Sequence, residues 1–228
     1  RLAPTGLHVY ESGAVVLALE EDPHEPPARP FHVEALPEEA AREAVRLARR
    51  LALPLEGYTA DGGFFVEGDS PLLEAHQRLL GVEAEGADLL RLSSPLVRLQ
   101  VLAEGEAPVE RLLEALPRGL QAHVAESPKM PGVRFVSLTK EGVSKLSAAR
   151  LVAEAYGLPL SECAMVGDGE NDLELLRAVG VGIAMGNAPP LGEASGPKGG
   201  RPRGGLRPGR GPPPPQGIGK ALTEGPRG

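Results

Sequence analysis

Val166-Gly-Asp-Gly-Glu-Asn-Asp-Leu-Glu-Leu-Leu176 joins a short apolar run to a segment with helical spacing, and its reading decides the fold. Residues 163–166 are wholly apolar, as expected of a parallel strand covered on both faces. Residues 170–179 predict a helix that Gly180 stops, and residues 181–185 predict a second buried strand. Upstream, residues 144–156 predict a helix closed by Gly157. Helix, strand, helix, strand in that order implies parallel α/β structure with right-handed crossovers. Ligands of such sheets sit at the carboxyl ends of strands, which is where Asp168 falls. Asp168 and Asp172 are four apart across a strand-to-helix turn, so both carboxylates can face one point. Two carboxylates without His or Cys suit a hard cation such as Mg²⁺, with waters and a substrate phosphate completing the octahedron. Gly167 and Gly169 let the backbone come close, and the Asn171 amide can donate to a phosphoryl oxygen. The same string is also what a capped helix start looks like.

Working toward the N-terminus, the pattern stays mixed. Residues 7–19 predict two short strands about Glu11-Ser12-Gly13, followed by a Pro-rich connector from Pro23 to Pro30. Residues 37–51 predict a helix. Glu38 and Glu39 suit the positive end of its dipole, and Ala41, Ala44, Val45, Leu47, Ala48 and Leu51 form a stripe at helical spacing. Residues 55–60 and 63–67 predict a hairpin with Asp61-Gly62 in the turn. Asp69-Ser-Pro opens a helix to about Leu80. Then follow a strand over 97–103, a helix over 108–116, and strands over 120–125 and 134–138.

Gly167-Asp-Gly-Glu-Asn-Asp, with Leu175-Leu-Arg-Ala-Val-Gly and Gly182-Ile-Ala-Met-Gly-Asn-Ala, resembles the fourth motif of the haloacid dehalogenase (HAD) superfamily, in its Cof-type phosphatase branch. Gly142-Val-Ser-Lys145 resembles that branch's third motif, and Tyr10-Glu-Ser-Gly-Ala-Val-Val the segment preceding its cap. The resemblance implies an α/β fold: a Rossmann-like core, here lacking its first strands, with an inserted α/β cap. The implied division is residues 1–34 core, 35–131 cap, 132–188 core with the Lys and Asp motifs, and 189–228 an irregular tail. It implies a Mg²⁺-dependent phosphomonoester hydrolase of a small phosphorylated metabolite such as a sugar phosphate, phosphoglycolate or a phosphorylated cofactor. Asp168 would hold Mg²⁺ directly, Asp172 directly or through water. Lys145 would neutralise the phosphate and orient the nucleophile, and Asn171 would touch the phosphate or the acidic loop. The family's first motif, Asp-x-Asp-Gly-Thr, occurs nowhere in these residues, nor does its second. The chain is therefore expected to be N-terminally incomplete, without phosphatase turnover, and with Lys145 gaining no charge partner from the missing nucleophile.

Composition bounds the alternatives. Residues 189–228 hold 12 of the 30 Gly and 10 of the 24 Pro, with seven Lys/Arg against two Glu, so the tail carries +5 and the body −12 of the overall −7. An acidic body argues against a broad phosphate-backbone footprint on nucleic acid. The Arg/Gly-rich tail resembles RNA-binding segments but has no aromatic to stack on bases, leaving an RNA-binding protein, or an inactive fragment, as the alternative reading. No window approaches a membrane span, which disfavours the ion pumps that share the Gly-Asp-Gly-x-Asn-Asp string. Cys163 is alone, excluding a disulfide framework within the chain, and a cytoplasmic location is expected. Nineteen Arg against five Lys, with two Asn and four Gln, fit a thermophile or GC-rich coding.

Overall fold

The computed structural model describes residues 5–19 and 28–186. The Gly/Pro/Arg-rich tail, with the RNA-binding reading that depends on it, and Asn187 lie outside them. Contacts divide the chain into two compact units: Arg1–His32 with Lys145–Gly228, and Val33–Ser144.

The first unit opens with β1 (Gly6–Tyr10) and β2 (Val15–Leu19), an antiparallel pair about a tight turn at Glu11–Gly13, as the sequence led us to expect. The expected Pro-rich connector ends earlier than its prolines suggest. Residues Ala28–Val33 form β3, third in the order β1-β2-β3. Pro30 lies on an edge strand among the described residues, the position in a sheet where proline is found. After the second unit the chain forms α4 (Lys145–Ala155), β10 (Ala164–Gly167), a 3₁₀ turn at Glu170–Asp172, α5 (Leu173–Ala178) and β11 (Val181–Ala184). The expected single helix over 170–179 thus begins as a 3₁₀ turn. β10 and β11 pair in parallel, Val166 opposite Ile183.

Burial corrects one expectation. Val166 is 58% exposed, Val181 55%, Ile183 50% and Met185 49%. Ala164, Val166, Val181 and Ile183 share one face of the pair, and that face is open among the described residues. Gly167 points the other way and is buried, and α5 packs on both strands. The strands are apolar throughout, yet only one face is covered.

The second unit runs α1 (Glu38–Arg50), β4 (Leu55–Thr59), β5 (Phe64–Glu67), α2 (Pro71–Leu80), β6 (Glu85–Gly86), β7 (Leu96–Glu104), α3 (Ala107–Glu114), β8 (Leu120–Ser127) and β9 (Met130–Lys140). Its strands make one six-stranded sheet in the order β6-β5-β4-β7-β9-β8. Alternation along the strands assigns the two faces. Leu55, Leu99, Val101, Val136 and Leu138 meet Ala44, Val45 and Ala48 of α1 and Leu112 of α3 in the larger core. Burying a side chain such as Val45 contributes about 1.5–3 kcal/mol. On the opposite face Leu73 of α2 packs with Val66, Leu102, Val133 and Phe135. Ser70 caps α2 by accepting from the Leu72 N–H, and Gly81 ends it in the left-handed conformation.

The expected boundary at 131/132 moves. β9 pairs with both β7 and β8, so residues 132–144, assigned by the sequence reading to the core segment, belong to the second unit. A strand's apolar pattern does not say which sheet it joins.

Candidate functional site

Lys145 is the first residue of α4, and Asp168 and Asp172 flank the turn that follows β10. The first unit brings Lys145, Asn171 and Asp172 together. Lys145 Nζ donates to Asp172 Oδ1 at 2.6 Å and to Asn171 Oδ1 at 3.3 Å. The other oxygen, Asp172 Oδ2, accepts from the backbone N–H groups of Asp168 at 3.2 Å and Gly169 at 3.1 Å. The loop is closed a second time by the Asp172 N–H on the Gly169 carbonyl at 3.0 Å. One carboxylate therefore ties the lysine helix to the loop that carries Asp168.

The two aspartates differ in environment. Asp172 is only 4% exposed, whereas Asp168 and Asn171 are exposed. Desolvation pushes the Asp172 carboxyl up. The Lys145 hydrogen bond, the Gly169 and Asp168 amides and the lysine's charge outweigh it, holding the group below its ordinary value. Asp172 is thus an anion in the folded protein, compensated by a cation and two amides.

Sequence spacing missed this pairing. It placed both carboxylates toward one point and left Lys145 without a charge partner from the missing nucleophile; here Asp172 is that partner. The signal was present in Gly167. A Cβ built there would lie 2.7 Å from Asp172 Cβ and 2.8 Å from its Cγ. Only glycine lets the buried aspartate pack against the end of β10.

The donors suit a hard cation in kind, being carboxylate oxygens next to a lysine and an amide that fit a phosphate. In number they are few. Among the described residues no group of three or more His, Cys, Asp or Glu is placed to hold a metal ion. Both Asp172 oxygens accept hydrogen bonds, and Asp168 is exposed. No described helix is long and apolar enough to cross a membrane.

Known proteins are similar to parts of this chain. Residues 28–194 match the haloacid dehalogenase-like hydrolase family. The HMP-PP phosphatase of Cronobacter sakazakii is 31% identical over 135 residues, covering 57% of this chain and 47% of the relative. The phosphoglycolate phosphatase of Methanoculleus marisnigri is 48% identical over 54 residues, 24% of this chain and 23% of the relative. Among solved structures, a HAD-superfamily phosphatase from Bacteroides thetaiotaomicron superposes with a TM-score of 0.63 at 24% identity, over 78% of this chain and 62% of that one. That likeness supports a Rossmann-like HAD fold. The chain spans between about a quarter and two-thirds of the lengths of these proteins. From the motif match and the fold together, the chain belongs to the haloacid dehalogenase-like hydrolases, a family that includes phosphatases.

Proposed function

We propose that the chain carries the phosphate- and cation-binding part of a Mg²⁺-dependent phosphomonoester hydrolase. Its substrate is a small phosphorylated metabolite, the class named for the similar phosphatases. The observation behind this reading is the bracing of the loop: Asp172, held by Lys145 and two amides, leaves Asp168 and Asn171 exposed at the carboxyl end of β10. In this reading Asp168 holds Mg²⁺ directly and Asp172 acts from behind it. Lys145 lends positive charge to the phosphate, and the Asn171 amide donates to a phosphoryl oxygen. Bound there, Mg²⁺ would offset charge on the transferring phosphoryl group, the main demand of phosphoryl transfer along with in-line positioning. Residues 33–144 serve as the family's inserted α/β cap and carry substrate specificity.

The family's Asp-x-Asp-Gly-Thr motif does not occur in these 228 residues, so in this reading the chain alone turns nothing over. A chromogenic phosphate ester with Mg²⁺ or EDTA tests both halves of the reading. The 228-residue chain should be inactive. A longer chain that includes an Asp-x-Asp-Gly-Thr motif should hydrolyse the ester with Mg²⁺ only, and Asp168→Ala should abolish this. Turnover by the 228-residue chain would overturn the nucleophile assignment; an inactive longer chain would overturn the hydrolase reading.

A further inference from the structure

α1 carries Arg42, Arg46, Arg49 and Arg50, and they fall into two kinds. Arg42 donates to the Leu90 carbonyl at 3.2 Å and lies 3.9 Å from Glu38. Arg49 pairs with Asp88 at 2.6 Å and with Glu67. Arg46 and Arg50 are exposed and make no ion pair or hydrogen bond among the described residues. Glu43 stands three residues before Arg46, a spacing at which a carboxylate and a guanidinium stabilise a helix, yet that pair is not made. Arg46 and Arg50 are themselves four apart, where like charges oppose one another. The negative end of the helix dipole favours Arg50 in the last turn. That effect fades within a turn, so it does not explain Arg46.

The two guanidiniums flank a cavity of about 310 Å³, which Glu43 and Leu47 of α1 line together with Ala115 and Pro117 of the α3–β8 connection. Leu47 is 4% exposed and belongs to the larger core, and Pro117 is buried with its ring fixing the backbone. These walls are therefore set by folding and do not wait for a ligand, which lowers the ordering cost of binding. The volume is at the small end for ligand pockets. Each guanidinium offers a planar fork of donors that matches an oxyanion. Two of them one turn apart can reach separate oxygens of one group. A phosphate dianion has the charge and the oxygens to satisfy both, whereas a carboxylate has one charge for two cations. Glu43, the one acid in the lining, opposes a bare phosphate placed there and can accept from a hydroxyl or ammonium elsewhere on the ligand.

We propose that Arg46 and Arg50 form a binding site for the phosphate group of a small ligand, seated in this cavity between α1 and the α3–β8 connection. The site lies wholly within the second unit and does not depend on the hydrolase reading, so an inactive longer chain leaves it standing. The test titrates the full 228-residue chain, ¹⁵N-labelled at arginine, with inorganic phosphate and separately with acetate, against chloride at matched ionic strength. The Nε–H resonances of Arg46 and Arg50 should move together and saturably with phosphate, at a Kd on the order of 1 mM. Acetate should bind about tenfold more weakly, the worth of one charge-assisted hydrogen bond. Arg46→Gln and Arg50→Gln, exposed changes to a good helix former, should each weaken phosphate binding by about the same factor. Glu43→Gln should tighten it severalfold by removing the opposing charge, a response that arises only if the phosphate sits in this cavity. Arg78→Gln on α2 should leave it unchanged. Resonances that do not saturate, acetate binding as tight as phosphate, unaltered or weaker binding in Glu43→Gln, or an equal loss in Arg78→Gln overturns the proposal.

Discussion

Lys145 and Asp172 illustrate how a motif residue can carry structure and chemistry together. Removing the ammonium strands a carboxylate that is 4% exposed with two amide donors and no cation. Lys145→Met should therefore lower the unfolding free energy by about 2 kcal/mol, the range for a hydrogen bond to a charged group. Urea denaturation followed at residues of the first unit measures it; an unchanged midpoint would mean the ion pair contributes nothing. Gly167→Ala attacks the same carboxylate from the other side. The added methyl must displace Asp172, and overpacking of this kind costs about 1–3 kcal/mol. Amide exchange at Asp168 and Gly169 should accelerate in this variant, since their common acceptor has moved. Neither expectation needs a metal or a substrate.

At the scale of elements, the sequence was legible where local chemistry and burial agree. The α1 stripe, the Asp61-Gly62 hairpin and the helix opened by Asp69-Ser-Pro each follow from a short-range rule, and each is found. It was misleading where the outcome depends on distant partners. The apolar string of β10 and β11 does not say that one face is uncovered among the described residues, and the pattern of β9 does not say that it pairs with β7. The candidate site divides the same way. The motif places Lys145 and Asp172 in one site, but four-residue spacing cannot say which aspartate turns inward. The hairpin also supplies a titration. The Thr59 hydroxyl, and then that of Ser94, hold the Asp61 carboxyl below its ordinary value, against a smaller opposing desolvation. A lowered carboxyl contributes stability above its unfolded-state value and loses it as pH falls through the folded one. Thr59→Val should move the Asp61 carboxyl back up, as read by ¹³C NMR, and shrink that acid-side contribution. An unmoved value would show that Thr59 is not the cause.

The whole molecule is discontinuous in one unit and continuous in the other. Val33–Ser144 is a single stretch, while the first unit is assembled from segments on either side of it. Closing the first unit requires bridging everything between, a loop cost that grows with intervening length. The second unit's pairings are nearer in sequence, as in β8 with β9, and nearby contacts form faster. In refolding followed by pulsed hydrogen exchange, amides of β8 and β9 should be protected before the Leu7 amide, whose acceptor is the Tyr156 hydroxyl. Simultaneous protection would contradict this.

The same discontinuity gives synthesis a direction. On the ribosome, β1 and β2 emerge before the second unit, yet Tyr156, whose hydroxyl accepts from the Leu7 N–H at 3.1 Å, is made long afterward. Through that interval β1 and β2 wait for α4 while residues 33–144 are a continuous stretch that can fold by themselves. Translation time across residues 33–156 therefore sets how long the β1–β2 pair stays without α4, and that window is when a chaperone would find it.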